Sequence, residues 1–355
     1  MSVTACLIVR DEEEFLCECL DSILAITSDV VVIDTGSVDR TADLARDRGC
    51  RVFSYEWRDD FSAARNYGLQ KAEGDWILSI DADERIHLNA AQADLDSLLE
   101  HTDCQAFTAP IVSYVGPGLV QARAEQDERI VLFKNNVKVR FQHRVHEDLS
   151  ESLMACHGPN LKTGRLPLTI HHLGYLDPVV NARQKHARNI RLLELEIEES
   201  EPSPWVDYCL GTEWSSCGQW QKAVQPLERV VGHAALAPYW ELAAHTLSYC
   251  YLQLGMPDRC IAVCDLAREL EGDHQVPFAF MRKLAQWQAS SSLSSMLSTL
   301  FATEFPLEED YYAFLLAYRR AVEQLWSDKA RARGTVIKSA CLNLDYHSSP
   351  GGVNS

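Results

Sequence analysis

The chain has 355 residues, of which 46% are hydrophobic and 24% charged, with a formal net charge of −18. That length allows two domains with cores of their own, and the composition excludes wholesale disorder. The negative balance excludes an extended nucleic-acid or anionic-membrane surface, which rewards clustered Lys and Arg, so any phosphate site has to be local and helped by a metal ion.

Val3 to Val9 is a nearly unbroken apolar run, as a strand covered on both faces requires. It is too short for a signal peptide, and its charges, Arg10 to Glu14, follow it instead of preceding it. No stretch approaches 18 uninterrupted apolar residues, so no membrane span is expected, and the reading is a cytoplasmic protein. Phe15, Leu16, Cys19, Leu20 and Ile23 recur at helical spacing, with Glu12 to Glu14 expected as the solvated first turn, where the helix dipole favours acids. Val30 to Ile33 is a second buried strand, ending in Asp34-Thr35-Gly36-Ser37. Thr41 to Arg48 reads as a helix, Arg51 to Tyr55 as a strand, Ser62 to Lys71 as a helix and Trp76 to Ile80 as a fourth strand. This alternation implies a parallel sheet with helices on both faces and a ligand beyond the carboxyl ends of the strands. Arg10-Asp11, Asp34 to Ser37, the Trp57 to Phe61 loop and Asp81 to Asp83 should therefore meet in one crevice.

The fourth strand ends in Asp81-Ala82-Asp83-Glu84. Alternate side chains of a strand share a face, so Asp81 and Asp83 can point the same way. Two such carboxylates repel unless a cation or donor sits between them, and a hard divalent ion completed by a diphosphate fits that need. No G-x-G-x-x-G follows the first strand and no G-x-x-x-x-G-K-[ST] is present, so other phosphate-binding devices are missing.

Phe107 to Val112, Arg129 to Phe133, Lys138 to Phe141 and Leu168 to His172 are short strand candidates that would extend the sheet and cover the site. Asp177-Pro178 offers an N-cap and first-turn proline for a helix reaching about Ser200. From Trp205 the pattern is all helical. A helix, Gly218 turn, helix unit recurs around Gly255, 37 residues later, close to the 34-residue period of tetratricopeptide repeats. Val276 to Trp287 reads as a degenerate third unit, Tyr311 to Trp326 as a capping helix and Asn343 to Ser355 as a loose tail. The expected division is 1–176, a connecting helix over 177–204, a helical domain over 205–330 and a tail over 331–355. Cys6, Cys250, Cys260 and Cys264 sit in buried strand or helix patterns, where free thiols act as small hydrophobes, so neither disulfides nor zinc are expected.

Six segments together carry a resemblance. They are L-I-V-R-D-E-E-E-F-L (7–16), V-V-V-I-D-T-G-S-V-D-R-T (30–41), D-D-F-S-A-A-R-N (59–66), G-D-W-I-L-S-I-D-A-D-E (74–84), R-V-H-E (144–147) and H-L-G-Y (172–175). In this order they resemble the family 2 glycosyltransferases of the α/β GT-A fold. More narrowly they resemble the bacterial subgroup with C-terminal tetratricopeptide repeats that includes peptide S-glycosyltransferases. The resemblance covers about residues 1 to 265.

It implies a metal-dependent, inverting hexosyltransferase using a nucleotide-diphosphate sugar, a UDP-sugar for preference, with Mn²⁺ or Mg²⁺. Val9, Arg10 and Asp34 would line the base and ribose pocket; Thr35 stands where many relatives have a second acid, and Asp11 where the subgroup has Asn. Arg65 would contact the diphosphate. Asp83 would bind the metal directly, Asp81 would contact ribose or orient the ion, and His172 would be a further metal position. His171 and His172 are strand neighbours, so only one can face the site. Glu147 is the candidate base that takes the acceptor's proton, with His146 the alternative. The acceptor implied is a peptide or protein side chain, with O, S or N linkage open. The alternatives are a polysaccharide or lipid-linked glycan acceptor, a sugar nucleotidyltransferase, or a non-catalytic peptide-binding protein with a decayed transferase domain. The repeat is expected to mediate a homodimer or hold the acceptor, standing clear of the donor.

Overall fold

The computed structural model describes residues 1–290 apart from 90–91, 120–121, 177, 180–183, 200–202, 234–238 and 270–274. Strand β1 (Val3–Val9) is followed by α1 (Leu16–Leu24), β2 (Val30–Asp34), α2 (Thr41–Asp47), β3 (Arg51–Ser54), α3 (Phe61–Leu69) and β4 (Trp76–Ser79). These four strands are parallel, in the order β3-β2-β1-β4, with Val9 opposite Asp34. Their alternation sorts two cores. Leu7, Val9, Val30, Val32, Trp76 and Leu78 face one side with Leu16, Leu20 and Ile23 of α1. Cys6, Val31, Ile33 and Ile77 face the other, packing on Phe133 and Phe141. Both faces are dry, which is why the strands read as continuous apolar runs.

Beyond β4 the sheet is mixed. β5 (Glu84–Leu88), α4 (Gln92–His101), β6 (Ala106–Val115), β7 (Arg123–Lys134), α5 (Ser150–His157), β8 (Thr163–Arg165) and β9 (Leu168–His172) complete it. The order continues β7-β6-β9-β5, with β7 antiparallel to β4 and β6, β9 antiparallel to β5, and β6 parallel to β8 and β9. The expected strands at β1 and β9 have the bounds the sequence indicates. The one expected over Lys138 to Phe141 does not form. Val139 N–H instead closes a turn on Asn136 C=O at 2.9 Å, and the buried Val139 and Phe141 anchor a loop in the core. β5 was not anticipated, because Glu84 to Leu88 pairs only with the distant β9.

This mixed α/β sheet is followed by helices. These are α6 (Lys185–Glu199), α7 (Pro204–Ser216), α8 (Trp220–His233), α9 (Trp240–Gln253), α10 (Pro257–Glu269) and α11 (Gln275–Ser290). Ser203 caps α7 by accepting from Val206 N–H, with Pro204 in its first turn. Gly218 and Gly255 take φ of 69° and 71° at the turns within the two helix pairs, a region open to glycine. The chain divides into compact units at Cys250 and Tyr251. In the first, α6 and α7 pack Ile190, Leu193, Val206 and Leu210 against Val145, Trp57 and Phe61. In the second, α10 and α11 bury Cys260, Cys264, Met281 and Leu284, and Arg282 pairs with Asp265 at 2.7 Å. The expected N-cap at Asp177, the capping helix and the tail lie outside the described residues.

Candidate active site

A cavity of about 370 Å³ opens beyond β4, lined by Arg65, Asp81, Asp83, Arg129, His146, Glu147, His172 and Lys185 among others. The backbone after β4 makes a turn, Glu84 N–H donating to Asp81 C=O at 3.1 Å, which presents both aspartates of the motif to the cavity. Arg65 comes from α3, which starts where Asp60 accepts from Ala63 N–H at 2.8 Å. Its guanidinium joins two acids, Nη2 donating to Asp81 Oδ1 at 2.6 Å and Nε to Glu147 Oε1 at 2.5 Å, and lies over the Phe141 ring. Burial alone would lower the Arg65 pKa, but Asp81 and Glu147 raise it and keep the group cationic. Burial pushes the Asp81 carboxyl up; Arg65 and Arg129 outweigh it and hold Asp81 below the ordinary range.

Asp83 is buried. Its Oδ1 lies 3.4 Å from His172 Nε2 and its Oδ2 lies 3.6 Å from Lys185 Nζ. His172 faces the cavity, while its neighbour His171 turns away to the Tyr114 hydroxyl at 2.9 Å. Burial lowers the His172 pKa, but Asp83, Glu84 and Asp81 more than reverse this. Gly174 lets these three side chains approach the backbone closely. A Cβ there would come within 2.2 Å of Asp83 Oδ2, 2.7 Å of His172 Nε2 and 2.8 Å of Lys185 Nζ.

An oxygen and a ring nitrogen 3.4 Å apart suit adjacent positions on one divalent ion. Among the described residues no group of three or more His, Cys, Asp or Glu is poised around one point. An ion here would take two donors from the chain and the rest from a diphosphate and water, as magnesium-type sites commonly do. The residues present fit such an ion.

The other expected donor-pocket residues lie apart from this cavity lining. Val9 is buried and its carbonyl accepts from both Thr35 N–H and the Thr35 hydroxyl at 3.0 Å, so Thr35 braces the strand end. Asp34 Oδ1 accepts from Gly36 and Ser37 N–H, and Arg10 is exposed. Glu12 is not part of a solvated turn. It is buried, lines the cavity and donates its N–H to Thr41 Oγ1 at 2.7 Å; only Glu13 and Glu14 are exposed.

Sequence reasoning missed Arg129, Glu84, Lys185 and Glu213. Arg129 Nη2 donates to buried Glu84 Oε2 at 2.7 Å, and Glu84 Oε2 also accepts from Asp81 N–H. Burial raises the Glu84 pKa, and its Oε1 has no hydrogen-bond partner. Arg129 opens the apolar strand run Arg129 to Phe133, a charge at a strand position that could have been noticed. Glu213, on α7, lines the cavity too. Its place there accords with a helical half that reaches the crevice, and whether it meets the donor is a separate matter.

Residues 4–155 match the family model "Glycosyl transferase family 2". Over those residues the chain is similar to the family 2 glycosyltransferases. A TPR repeat-containing protein of Synechococcus elongatus is 39% identical over 176 residues, 49% of this chain and 42% of its own length. The SPbeta prophage-derived glycosyltransferase SunS of Bacillus subtilis is 28% identical over 242 residues, 65% of this chain and 54% of its own. The chain thus spans about half the length of these curated relatives. The crystal structure of S. aureus TarS 1–349 in complex with UDP covers 82% of this chain and 92% of its own at 16% identity. Its TM-score is 0.41, too loose a likeness to carry a conclusion. No helix of the described residues is long and apolar enough to cross a membrane.

Proposed function

We propose that this chain is a metal-dependent inverting glycosyltransferase that moves a sugar from a nucleotide diphosphate, a UDP-sugar for preference, to a peptide or protein side chain. The observation that carries the reading is the Asp83–His172 pair beside the Arg65–Asp81 pair in one cavity of a domain similar to the family 2 glycosyltransferases. Six carboxylates (Glu12, Asp81, Asp83, Glu147, Asp148, Glu213) face only Arg65, Arg129, Lys185 and Arg188 in the lining. A diphosphate would be repelled there unless a cation came with it. Mn²⁺ or Mg²⁺ on Asp83 and His172 would neutralise the charge that grows on the departing diphosphate.

The chain's own groups supply the remainder. Arg65 offers the diphosphate a buried guanidinium whose alignment Asp81 and Glu147 fix in advance, so little is lost in ordering it. Arg129, 3.9 Å from Asp81, and Lys185, 3.6 Å from Asp83, add positive charge to the cavity. Val9, Arg10 and Asp34, at the neighbouring strand ends, would hold the base and ribose. Glu147 or His146 would take the acceptor's proton. The peptide acceptor is favoured by the tetratricopeptide-like helices that frame the cavity through α6 and α7. Division into a catalytic part over 1–176 and a helical part over 205–330 remains part of the proposal, as do a cytoplasmic location and a homodimer through the helices.

The test is release of UDP from a panel of UDP-sugars with Mn²⁺, with intact-mass analysis of peptides encoded beside this chain. An added hexose supports the reading. No mass shift together with no UDP release across the panel contradicts it.

A further inference from the structure

His146 sits at φ 55°, a left-handed conformation that a residue with a Cβ adopts at a cost and holds only when its surroundings enforce it. Two contacts from α7 enforce it. Trp205 Nε1 donates to the His146 carbonyl at 3.2 Å, and Glu213 Oε1 receives the His146 ring at 2.8 Å from Nε2. Both atoms lie about 60 residues or more downstream, on a helix of the repeat segment.

The partners of Glu213 settle the ring's protons. Glu213 is nearly buried and accepts from Asn189 Nδ2 at 2.6 Å and from His186 Nδ1 at 2.7 Å, besides His146. Burial pushes its carboxyl up, but these three bonds outweigh burial and hold it below the ordinary glutamate range. An ionised carboxylate only accepts, so His146 must donate from Nε2. In the neutral ring the lone pair is then on Nδ1, which has no hydrogen-bond partner among the described residues. The ring is a third exposed and lines the cavity beside Glu147. Glu147 itself is committed to Arg65, whose Nε donates to its Oε1 at 2.5 Å.

Building on the transferase reading above, we propose that Glu213 is a positioning residue, donated by the repeat segment, that fixes His146 with its Nδ1 lone pair open as the proton acceptor. The acceptor's O–H or S–H proton passes to Nδ1 as its electron pair forms the bond to the anomeric carbon. The bond from that carbon to the diphosphate oxygen breaks, and its electrons leave with the nucleoside diphosphate. The imidazolium, held against the Glu213 carboxylate, then gives its proton to water. The helical segment thereby completes the catalytic site as well as framing it.

The full-length chain labelled with ¹⁵N-histidine tests this directly. Long-range ¹H–¹⁵N spectra at pH 7.5, with the His146 signal assigned by its loss in His146→Gln, should show a neutral Nε2–H ring. An Nδ1–H ring overturns the proposal whatever the variants do. With UDP-glucose and Mn²⁺, water serving as acceptor, Glu213→Gln should lower kcat about 10- to 100-fold, as removal of a group orienting a functional imidazole does. KM for UDP-glucose should move less than about twofold, and Glu213→Asp should recover part of the loss. His146→Gln should cost on the order of 10²–10⁴ in kcat. A Glu213→Gln enzyme at the wild-type rate, or a loss confined to KM, overturns the positioning role. Calorimetric UDP-glucose binding to the wild type separates the two levels. Binding with the wrong tautomer defeats only the Glu213 assignment, whereas no binding to any UDP-sugar defeats the transferase reading with it.

Discussion

His143 Nδ1 lies 2.7 Å from Glu196 Oε1, tying the loop before Arg144 to the last turn of α6. His143 also has a left-handed φ, 73°, and the Arg144 N–H donates to the other Glu196 oxygen at 2.8 Å. The loop bearing His146 and Glu147 is thus pinned at both ends by helices that follow the sheet domain, Glu196 at one and Glu213 at the other.

This pair makes stability depend on pH. Burial lowers the His143 pKa, but Glu196 raises it further, so the folded value lies above the unfolded one. Its contribution is complete below about pH 6.5 and is lost as pH climbs through the raised folded value. Burial raises the Glu196 pKa, while His143 and the Arg144 amide bring it below the ordinary value. That contribution is present above about pH 4.5 and lost as pH falls through the lowered one. His143→Gln should therefore lower Tm most near pH 5 to 6.5, by about 1–3 kcal/mol in stability, and progressively less toward pH 9. Thermal melts of both proteins across that range check it; an equal gap at pH 6 and pH 9 contradicts it.

Arg65→Ala should act twice. It removes the proposed diphosphate ligand, so UDP affinity by calorimetry should fall at least about tenfold. It also leaves Glu147 without its counter-charge and Asp81 with Arg129 alone, 3.9 Å away, which should destabilise the domain by about 3–5 kcal/mol. Arg65→Lys should restore much of the stability but less of the affinity, since a point charge cannot reach both acids as the fork does. Equal affinity in Arg65→Ala and wild type would remove Arg65 from the donor site.

Much of the sheet was legible because buried parallel strands leave no ambiguity. The continuous apolar runs at Val3 to Val9 and Val30 to Ile33 could only be covered on both faces, and they are. Strand alternation allowed only one of His171 and His172 to face the site, the H-L-G-Y resemblance chose His172, and the two rings do point opposite ways. The acid-bearing helix was not legible in this way. Glu213 stands 67 residues from His146, and no local period reports so distant a pairing. One signal was available: a lone carboxylate within Cys209-Leu210-Gly211-Thr212-Glu213-Trp214, where a buried helix face would need a reason to hold it. The Glu12 turn failed for a related reason. An acid in a first turn is usually solvated, but this one is folded under the Thr41 hydroxyl.

Gly174→Ala should disable the metal corner without unfolding the chain. The added methyl would meet Asp83 Oδ2 and His172 Nε2 well inside contact distance, while the sheet pairing of β9 ends before it. Mn²⁺-dependent UDP binding should be lost or weakened at least about tenfold, with Tm nearly unchanged. Wild-type Mn²⁺ dependence in Gly174→Ala would show that the ion lies elsewhere.

The central claim is that Asp83 holds a divalent ion through which the nucleotide diphosphate binds. Calorimetric titration of UDP into the full-length chain, with Mn²⁺ and with EDTA, in wild type and Asp83→Asn, tests it most directly. Binding should be tight only in the wild type with Mn²⁺, at least about tenfold weaker in EDTA, and equally weak in Asp83→Asn under both conditions. Equal affinity in EDTA and Mn²⁺, or an Asp83→Asn chain that binds UDP as the wild type does, would contradict it.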